Sequence, residues 1–96
     1  MGISELLEDR REQILQLATE HGARNVRVFG SVARGDAGPE SDVDFLVDVA
    51  PAHSSWFPAG LLLDLEDLLG RHVHVVTEAA LHRRIRDRVL QEAVSL

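Results

Sequence analysis

The sequence predicts an α/β (α+β) fold, in which a three-stranded mixed sheet is flanked by about four helices. Three short runs are rich in β-branched residues and bounded by turn residues, at 25–29, 42–49 and 71–77. Segments with apolar residues at helical spacing precede, separate and follow these runs. A chain of 96 residues, 45% of them hydrophobic, is large enough for one modest core. We therefore expect a single domain over residues 1–96.

The helices are predicted from their apolar spacing and from the residues at their ends. Gly22 and Gly70 each follow an apolar periodic segment and are typical of the position just after a helix. Thr77 precedes the last segment and suits an N-cap, because its hydroxyl can accept a hydrogen bond from a free backbone N–H. The four predicted helices span residues 3–21, 31–34, 58–69 and 78–94.

The last predicted helix has two different faces. Its apolar residues recur every four positions: Leu81, Ile85, Val89 and Ala93. Its opposite face carries four of the ten basic residues of the chain: Arg83, Arg84, Arg86 and Arg88. A solvated helix surface is the ordinary interpretation of such a face, and docking onto an acidic partner is the alternative.

Trp56 and Phe57 stand next to each other in the predicted linker 51–58. Two interpretations are open for this aromatic pair. Its side chains either close one end of the core or are exposed and face a partner.

The charge and composition exclude several classes of protein. A net charge of −6 argues against a general nucleic-acid binder, whose affinity depends on neutralising phosphates. The chain has no cysteine, so disulfides and thiolate metal sites are excluded. No apolar run approaches the roughly 18 residues that a membrane span needs. We therefore expect a soluble, cytoplasmic protein with no membrane partner.

Asp42 and Asp44 open the second predicted strand. Side chains alternate along a strand, so the two carboxylates should project from the same side about 6–7 Å apart. At about 6 Å and an effective dielectric constant of about 20 they repel each other by nearly 3 kcal/mol. A cation between them would offset this repulsion, and carboxylate oxygens favour a hard ion such as Mg²⁺ or Mn²⁺.

Gly30 and Ser31 follow the first predicted strand, where the chain enters a helical turn. Glycine permits close approach to the backbone, and the free N–H groups at a helix start attract anions. Arg34 lies close by and suits either a phosphate oxygen or the carboxylate of Asp36. An anion site and a divalent-metal site ten residues apart together predict a nucleoside triphosphate site.

The segment Gly30-Ser31-(ten residues)-Asp42-Val43-Asp44 resembles the G-S-x10-D-x-D motif of the DNA polymerase β-like nucleotidyltransferase superfamily. The flanking segments 29–36 and 41–47 are similar to its minimal nucleotidyltransferase (MNT) branch. This resemblance implies ATP as substrate, and Mg²⁺ or Mn²⁺ held by Asp42 and Asp44. In such a site Ser31 and the backbone near Gly30 would hold the β- and γ-phosphates, and Arg34 would either join them or fix the loop through Asp36.

The same family has a third carboxylate on its third strand, after a Gly-Arg turn. Here Gly70-Arg71 is followed by a strand in which His74 takes that position. A histidine can ligate a metal or act as a base near neutral pH, but as a ligand it carries one negative charge fewer. We therefore assign His74 to the catalytic group, with a polar residue on a half-exposed strand as the alternative.

The resemblance implies an antitoxin that transfers AMP from ATP to a tyrosine hydroxyl of a HEPN-domain RNase toxin, in a homo- or hetero-oligomeric setting. A second hypothesis is a catalytically weak or inactive module that neutralises its partner by direct binding. A third is a small-molecule transferase resembling the aminoglycoside enzymes. Those enzymes carry an additional helical domain for which 96 residues leave no room.

Overall fold

A computed structural model gives the structure of the chain and describes residues 3–38, 40–51, 53 and 56–96. Five α-helices and four strands are found in this part of the chain. In chain order they are α1 (Ile3–Asp9), α2 (Arg11–Glu20), β1 (Ala23–Phe29), α3 (Ser31–Arg34), β2 (Val43–Val49), α4 (Ala59–Leu69), β3 (Val73–Val76), α5 (Arg83–Glu92) and β4 (Val94–Ser95), with a 3₁₀ turn at Glu78–Ala80 before α5.

The strands form one mixed sheet in the order β3-β2-β1-β4. Strand β2 runs parallel to β3 and antiparallel to β1, which in turn pairs antiparallel with β4. The central strand β2 is covered on both faces, because Phe45, Leu46 and Val47 are each at most 1% exposed. Helix α2 packs on β1, α4 packs on β3, and the two helices contact each other.

The α+β class and the mixed sheet are confirmed, but the sheet has four strands rather than the predicted three. The additional strand β4 follows α5 directly and pairs with the free edge of β1 through Arg27 and Val28. The backbone N–H of Leu96 also donates to the carbonyl of Val26 at 3.1 Å, which is the length of an ordinary N–H···O hydrogen bond. A two-residue strand has no periodicity, so the sequence pattern could not indicate it.

The predicted first helix over 3–21 is wrong as a single element. It is interrupted at Arg10, whose φ and ψ of −102° and 9° fall outside the helical region. The residues from Glu8 to Gln13 are all polar, and so no buried side chain holds this stretch against the sheet. Leu7 on α1 and Ile14 on α2, one on each side of this stretch, are both buried in the core.

The predicted last helix over 78–94 is also divided. Thr77 accepts a hydrogen bond from the N–H of Ala80, but this cap begins only the short 3₁₀ turn. His82 is extended, and its ring nitrogen accepts a hydrogen bond from the N–H of Arg84. Two successive capping side chains therefore start two helical segments where the apolar spacing indicated one.

The aromatic pair of the linker is divided between the two interpretations. Trp56 is 77% exposed, whereas Phe57 is partly buried against the core. Within the described ranges, no helix has the length and apolar character that a bilayer crossing requires.

Candidate functional site

Three strand ends meet at one edge of the sheet and bring the acidic residues together. Phe29, the last residue of β1, is paired with Asp44 of β2. On the other side Asp44 lies in register with His74 of β3. Asp42 directly precedes β2 and hence lies at the same end. The sheet topology therefore places both carboxylates beside the imidazole.

Gly30 connects β1 to α3 in a conformation that suits only glycine. Its φ is 75° and its ψ is −152°, a region that side-chain-bearing residues rarely adopt. A Cβ atom at this position would overlap the carboxylate oxygen Oδ2 of Asp44. The glycine therefore allows the backbone to lie directly against Asp44, the second residue of the acidic pair formed by Asp42 and Asp44.

All six site residues predicted from the sequence line one cavity of about 420 Å³: Gly30, Ser31, Arg34, Asp42, Asp44 and His74. Six further residues complete its wall: Phe29, Ser41, Ile85, Arg88, Val89 and Glu92. The cavity is thus bounded by the strand ends on one side and by α5 on the other.

The environment of Asp44 opposes its negative charge. Burial is the largest influence and raises the pKa of its carboxyl group. The charges of His74 and Arg34 lower this pKa, and the carboxylates Asp42 and Glu92 raise it again. Since the net result is a raised pKa, a cation bound at this position would stabilise the ionised form.

His74 is paired with the first acid of the motif. Its Nε2 lies 3.0 Å from Oδ2 of Asp42, and the imidazole side chain is 58% exposed. An ionised carboxylate only accepts hydrogen bonds, so Nε2–H is the donor. When the ring is neutral, Nδ1 is then its basic nitrogen.

Arg34 bridges two carboxylates. Its Nε donates to Asp36 at 3.3 Å and its Nη1 donates to Glu92 at 3.0 Å. These two hydrogen bonds, the Asp36 bond first, raise the pKa of Arg34. The backbone N–H of Gly30 also donates to Glu92. Glu92 therefore binds two of the groups that the sequence assigned to phosphate.

Sequence reasoning did not identify the contribution of α5 to the cavity, namely Ile85, Arg88 and Glu92. A signal was present. Glu92 follows Ile85 by seven residues, which places it on the same face as the apolar stripe of the helix. A carboxylate on the apolar face of a helix indicates a specific partner, because an unpaired charge in apolar surroundings would be costly.

The residues of the cavity fit a divalent ion that is bound together with a nucleotide. Among the described residues, no group of three His, Asp or Glu side chains is arranged as a complete metal site. Mg²⁺ usually takes only one or two carboxylates from the protein and completes its coordination with water and substrate phosphates. Asp42 and Asp44 supply carboxylate oxygens of that kind at the cavity wall.

Comparison with known proteins agrees with this architecture. Residues 10–96 match the nucleotidyltransferase domain family. A candidate protein adenylyltransferase of Methanocaldococcus jannaschii is 33% identical over 96 residues, which cover 100% of this chain and 99% of the relative. The protein adenylyltransferase MntA of Thermococcus cleftensis is 40% identical over 79 residues, covering 82% of this chain and 80% of that protein.

Solved structures give the same result. A candidate minimal nucleotidyltransferase is 49% identical, with a TM-score of 0.84 and coverage of 96% of this chain and 94% of the other. A toxin–antitoxin structure with AMP-PNP has a TM-score of 0.73 at 20% identity, covering 88% and 69%, and supports the fold alone. The chain therefore belongs to the nucleotidyltransferase domain family, shares the minimal nucleotidyltransferase fold, and is assigned to the nucleotidyltransferase enzymes.

Proposed function

We propose that this chain transfers AMP from ATP to a hydroxyl group, that of a tyrosine, on a partner HEPN-domain RNase toxin and so neutralises it. The observation that carries the proposal is the single cavity lined by Gly30, Ser31, Asp42 and Asp44. Relatives named protein adenylyltransferase support a protein as the acceptor of AMP, and the HEPN-domain toxin and its tyrosine are what the family resemblance implies. Such a partner lies inside the cell, so the proposal includes a cytoplasmic location.

In the proposed reaction the acceptor oxygen attacks the α-phosphorus of ATP. A new P–O bond forms to the acceptor, the bond to the β-phosphate oxygen breaks, and pyrophosphate leaves. Asp42 and Asp44 would hold Mg²⁺ or Mn²⁺, and an ion bound there would supply positive charge to offset the negative charge that develops in the reaction. Gly30 N–H, Ser31 and Arg34 hold the β- and γ-phosphates, because N–H and guanidinium groups donate to phosphate oxygens.

His74 is proposed to receive the proton of the acceptor hydroxyl. Its Nε2–H donates to Asp42, so Nδ1 of the neutral ring is available as the base. An imidazole is suited to accept a proton near neutral pH. Asp42 would also stabilise the imidazolium that forms.

The experiment is a transfer assay with the purified chain, ATP, Mg²⁺ or Mn²⁺ and a HEPN-domain RNase as the acceptor protein. Mass spectrometry of the partner should show the addition of one AMP group on a tyrosine. The double variant D42N/D44N should abolish the addition. A matched control with the same charge change, D67N/D87N, alters two exposed acids outside the cavity and should retain it.

A second candidate function, neutralisation by direct binding, is favoured by one observation. The position of the third family carboxylate is held by His74, which is already hydrogen-bonded to Asp42. The D42N/D44N variant separates the two functions. If chemistry is required, the variant loses neutralisation of the toxin. If masking is sufficient, the variant still binds and neutralises, and wild-type protein leaves the mass of its partner unchanged with either metal.

A further inference from the structure

Glu92 is the residue on which this inference depends. Its carboxylate accepts hydrogen bonds from the backbone N–H of Gly30 and, at 3.0 Å, from Nη1 of Arg34. The side chain is only 15% exposed, although it belongs to the last turn of a surface helix. Charge-assisted hydrogen bonds are stronger than neutral ones, so a ligand that replaces this carboxylate must itself be a good acceptor for both donors.

The donors that hold Glu92 are those that a nucleotide needs. A carboxylate and a phosphate are both oxygen anions and accept from the same N–H and guanidinium groups. They cannot occupy the Gly30 and Arg34 donors together. Asp42 and Asp44 already concentrate negative charge in the cavity. A triphosphate that enters while Glu92 stays in place would therefore meet a further like charge.

Glu92 can leave without disturbing the fold. Its helix is fixed by the buried side chain of Val89, and the chain beyond it is fixed by the Leu96 N–H bond to Val26. Rotation of one side chain is sufficient to free the donors. Arg88, four residues earlier on the same helix, lines the cavity and makes no ion pair within the described ranges. It provides a cation toward which the incoming phosphates are attracted.

We infer that Glu92 occupies the place of a nucleotide phosphate in the nucleotide-free protein, and that the triphosphate displaces it and takes over Gly30 N–H and Arg34. The inference rests on the proposed function for the identity of the anion. Glu92 is then a residue that sets nucleotide affinity. A substitution that removes its charge should tighten binding rather than weaken it.

The test measures the dissociation constants of ATP and of inorganic tripolyphosphate by calorimetry in excess EDTA, for wild type and E92Q. Glutamine keeps the shape and the acceptor oxygen but loses the charge. If the Glu92 carboxylate occupies the donors roughly nine-tenths of the time, only about a tenth of the wild-type molecules can bind the ligand. We therefore expect E92Q to bind both ligands about tenfold more tightly. The control D87N makes the same charge change at an exposed site on α5 and should stay near wild type.

A second readout locates the effect. In the ¹⁵N–¹H spectrum the amide signal of Gly30 should move when tripolyphosphate is added to wild type. Equal or weaker binding by E92Q, or a Gly30 amide that tripolyphosphate leaves unmoved, overturns the inference. The titrations are repeated with Mg²⁺ in place of EDTA. A loss of affinity by E92Q that appears only in this second series also overturns the inference, because Glu92 would then be a metal ligand.

The outcome is separable from that of the proposed function. Tripolyphosphate carries no AMP group, so its binding does not depend on any transfer reaction. Tighter binding by E92Q with no AMP added to the partner supports the inference and contradicts the function. AMP transfer with no effect of E92Q on binding supports the function and overturns the inference.

Discussion

Gly30 and Gly35 flank the short helix α3, and both have a positive φ, 75° and 80° respectively. Their surroundings differ. A Cβ at Gly30 would overlap the carboxylate of Asp44, whereas a Cβ at Gly35 would meet nothing within 4 Å. The two positions therefore separate backbone strain from disturbance of the acidic pair.

We expect G35A to cost about 1–2 kcal/mol of stability from the left-handed conformation alone. G30A should cost at least about 1–3 kcal/mol for its sparsely populated backbone region, and it should also displace Asp44. Urea denaturation measures the first effect, and Mn²⁺ binding followed by electron paramagnetic resonance measures the second. Mn²⁺ affinity should fall only in G30A. An equal fall in both variants would contradict a specific contact between Gly30 and Asp44.

The raised pKa of Asp44 predicts a pH dependence of stability in the absence of divalent ions. An unfolded aspartate has a pKa of about 3.9, and burial raises the folded value above it. The native state therefore holds the proton to higher pH, and stability falls as the pH rises from about 4 through the raised pKa. The variant D44N should lack this fall and be more stable than wild type at neutral pH.

The measurement is a series of urea denaturation curves from acidic to neutral pH in EDTA. The matched control D67N changes an exposed acid on α4 and should keep the wild-type profile. A D44N profile that falls as steeply as wild type would show that another group is responsible.

At the scale of single residues, the spacing in the sequence was sufficient to predict that Asp42 and Asp44 lie together. It was not sufficient to predict which other side chains contact them. Asp42 directly precedes β2 and Asp44 lies within it, two positions further on, so the alternation of side chains along an extended chain was enough to place both on the same cavity wall. His74 reached the prediction through a resemblance rather than through spacing. Glu92 is far from Gly30 in sequence, and their contact depends on where α5 packs. The catalytic and binding roles that the sequence assigned to the six cavity residues stay predictions.

At the scale of elements, α5 is held to the sheet mainly by one side chain. Val89 is its only buried residue within the described ranges and is 4% exposed. V89A should destabilise the protein by about 2 kcal/mol, because it removes two methyl groups from a packed site. V94A, the same change at a side chain that is 55% exposed, should stay within about 0.5 kcal/mol of wild type.

Thermal denaturation compares the two variants, and ATP binding gives a further readout. Loosening α5 should also change nucleotide affinity, since this helix carries Arg88 and Glu92 into the cavity. If V89A and V94A lower the melting temperature equally, α5 is not anchored through Val89.

The elements that the sequence predicted correctly are those with a strong hydrophobic period or with a glycine that marks their end. Helix α4 begins one residue after the predicted start and ends before Gly70 as expected. The interruption at Arg10 and the division at His82 were missed for different reasons. The all-polar stretch around Arg10 offers no buried apolar side chain that would hold one continuous helix. At His82 the apolar spacing continues, and the break depends on a side-chain hydrogen bond that periodicity does not record.

At the scale of the whole molecule, a strongly acidic chain concentrates several of its charges around one cavity. The net charge is −6, and Asp42, Asp44 and Glu92 all face the same space. Arg34 balances part of this charge, through Glu92. The fold keeps these carboxylates close because the core, with Phe45 and Leu46 fully buried, supplies the compensating stability. A ligand that neutralises the cavity should therefore stabilise the entire domain.

A divalent ion that binds at Asp42 and Asp44 should therefore raise the melting temperature. At a concentration of Mg²⁺ or Mn²⁺ about ten times the dissociation constant, linkage gives about 1.4 kcal/mol of added stability. In a domain of this size such a gain corresponds to a rise in melting temperature of about 5–10 °C. Differential scanning fluorimetry should show the rise in wild type and in the surface control D67N/D87N. The variant D42N/D44N should show none, and a rise of equal size in it would place the stabilising ion somewhere other than at the acidic pair.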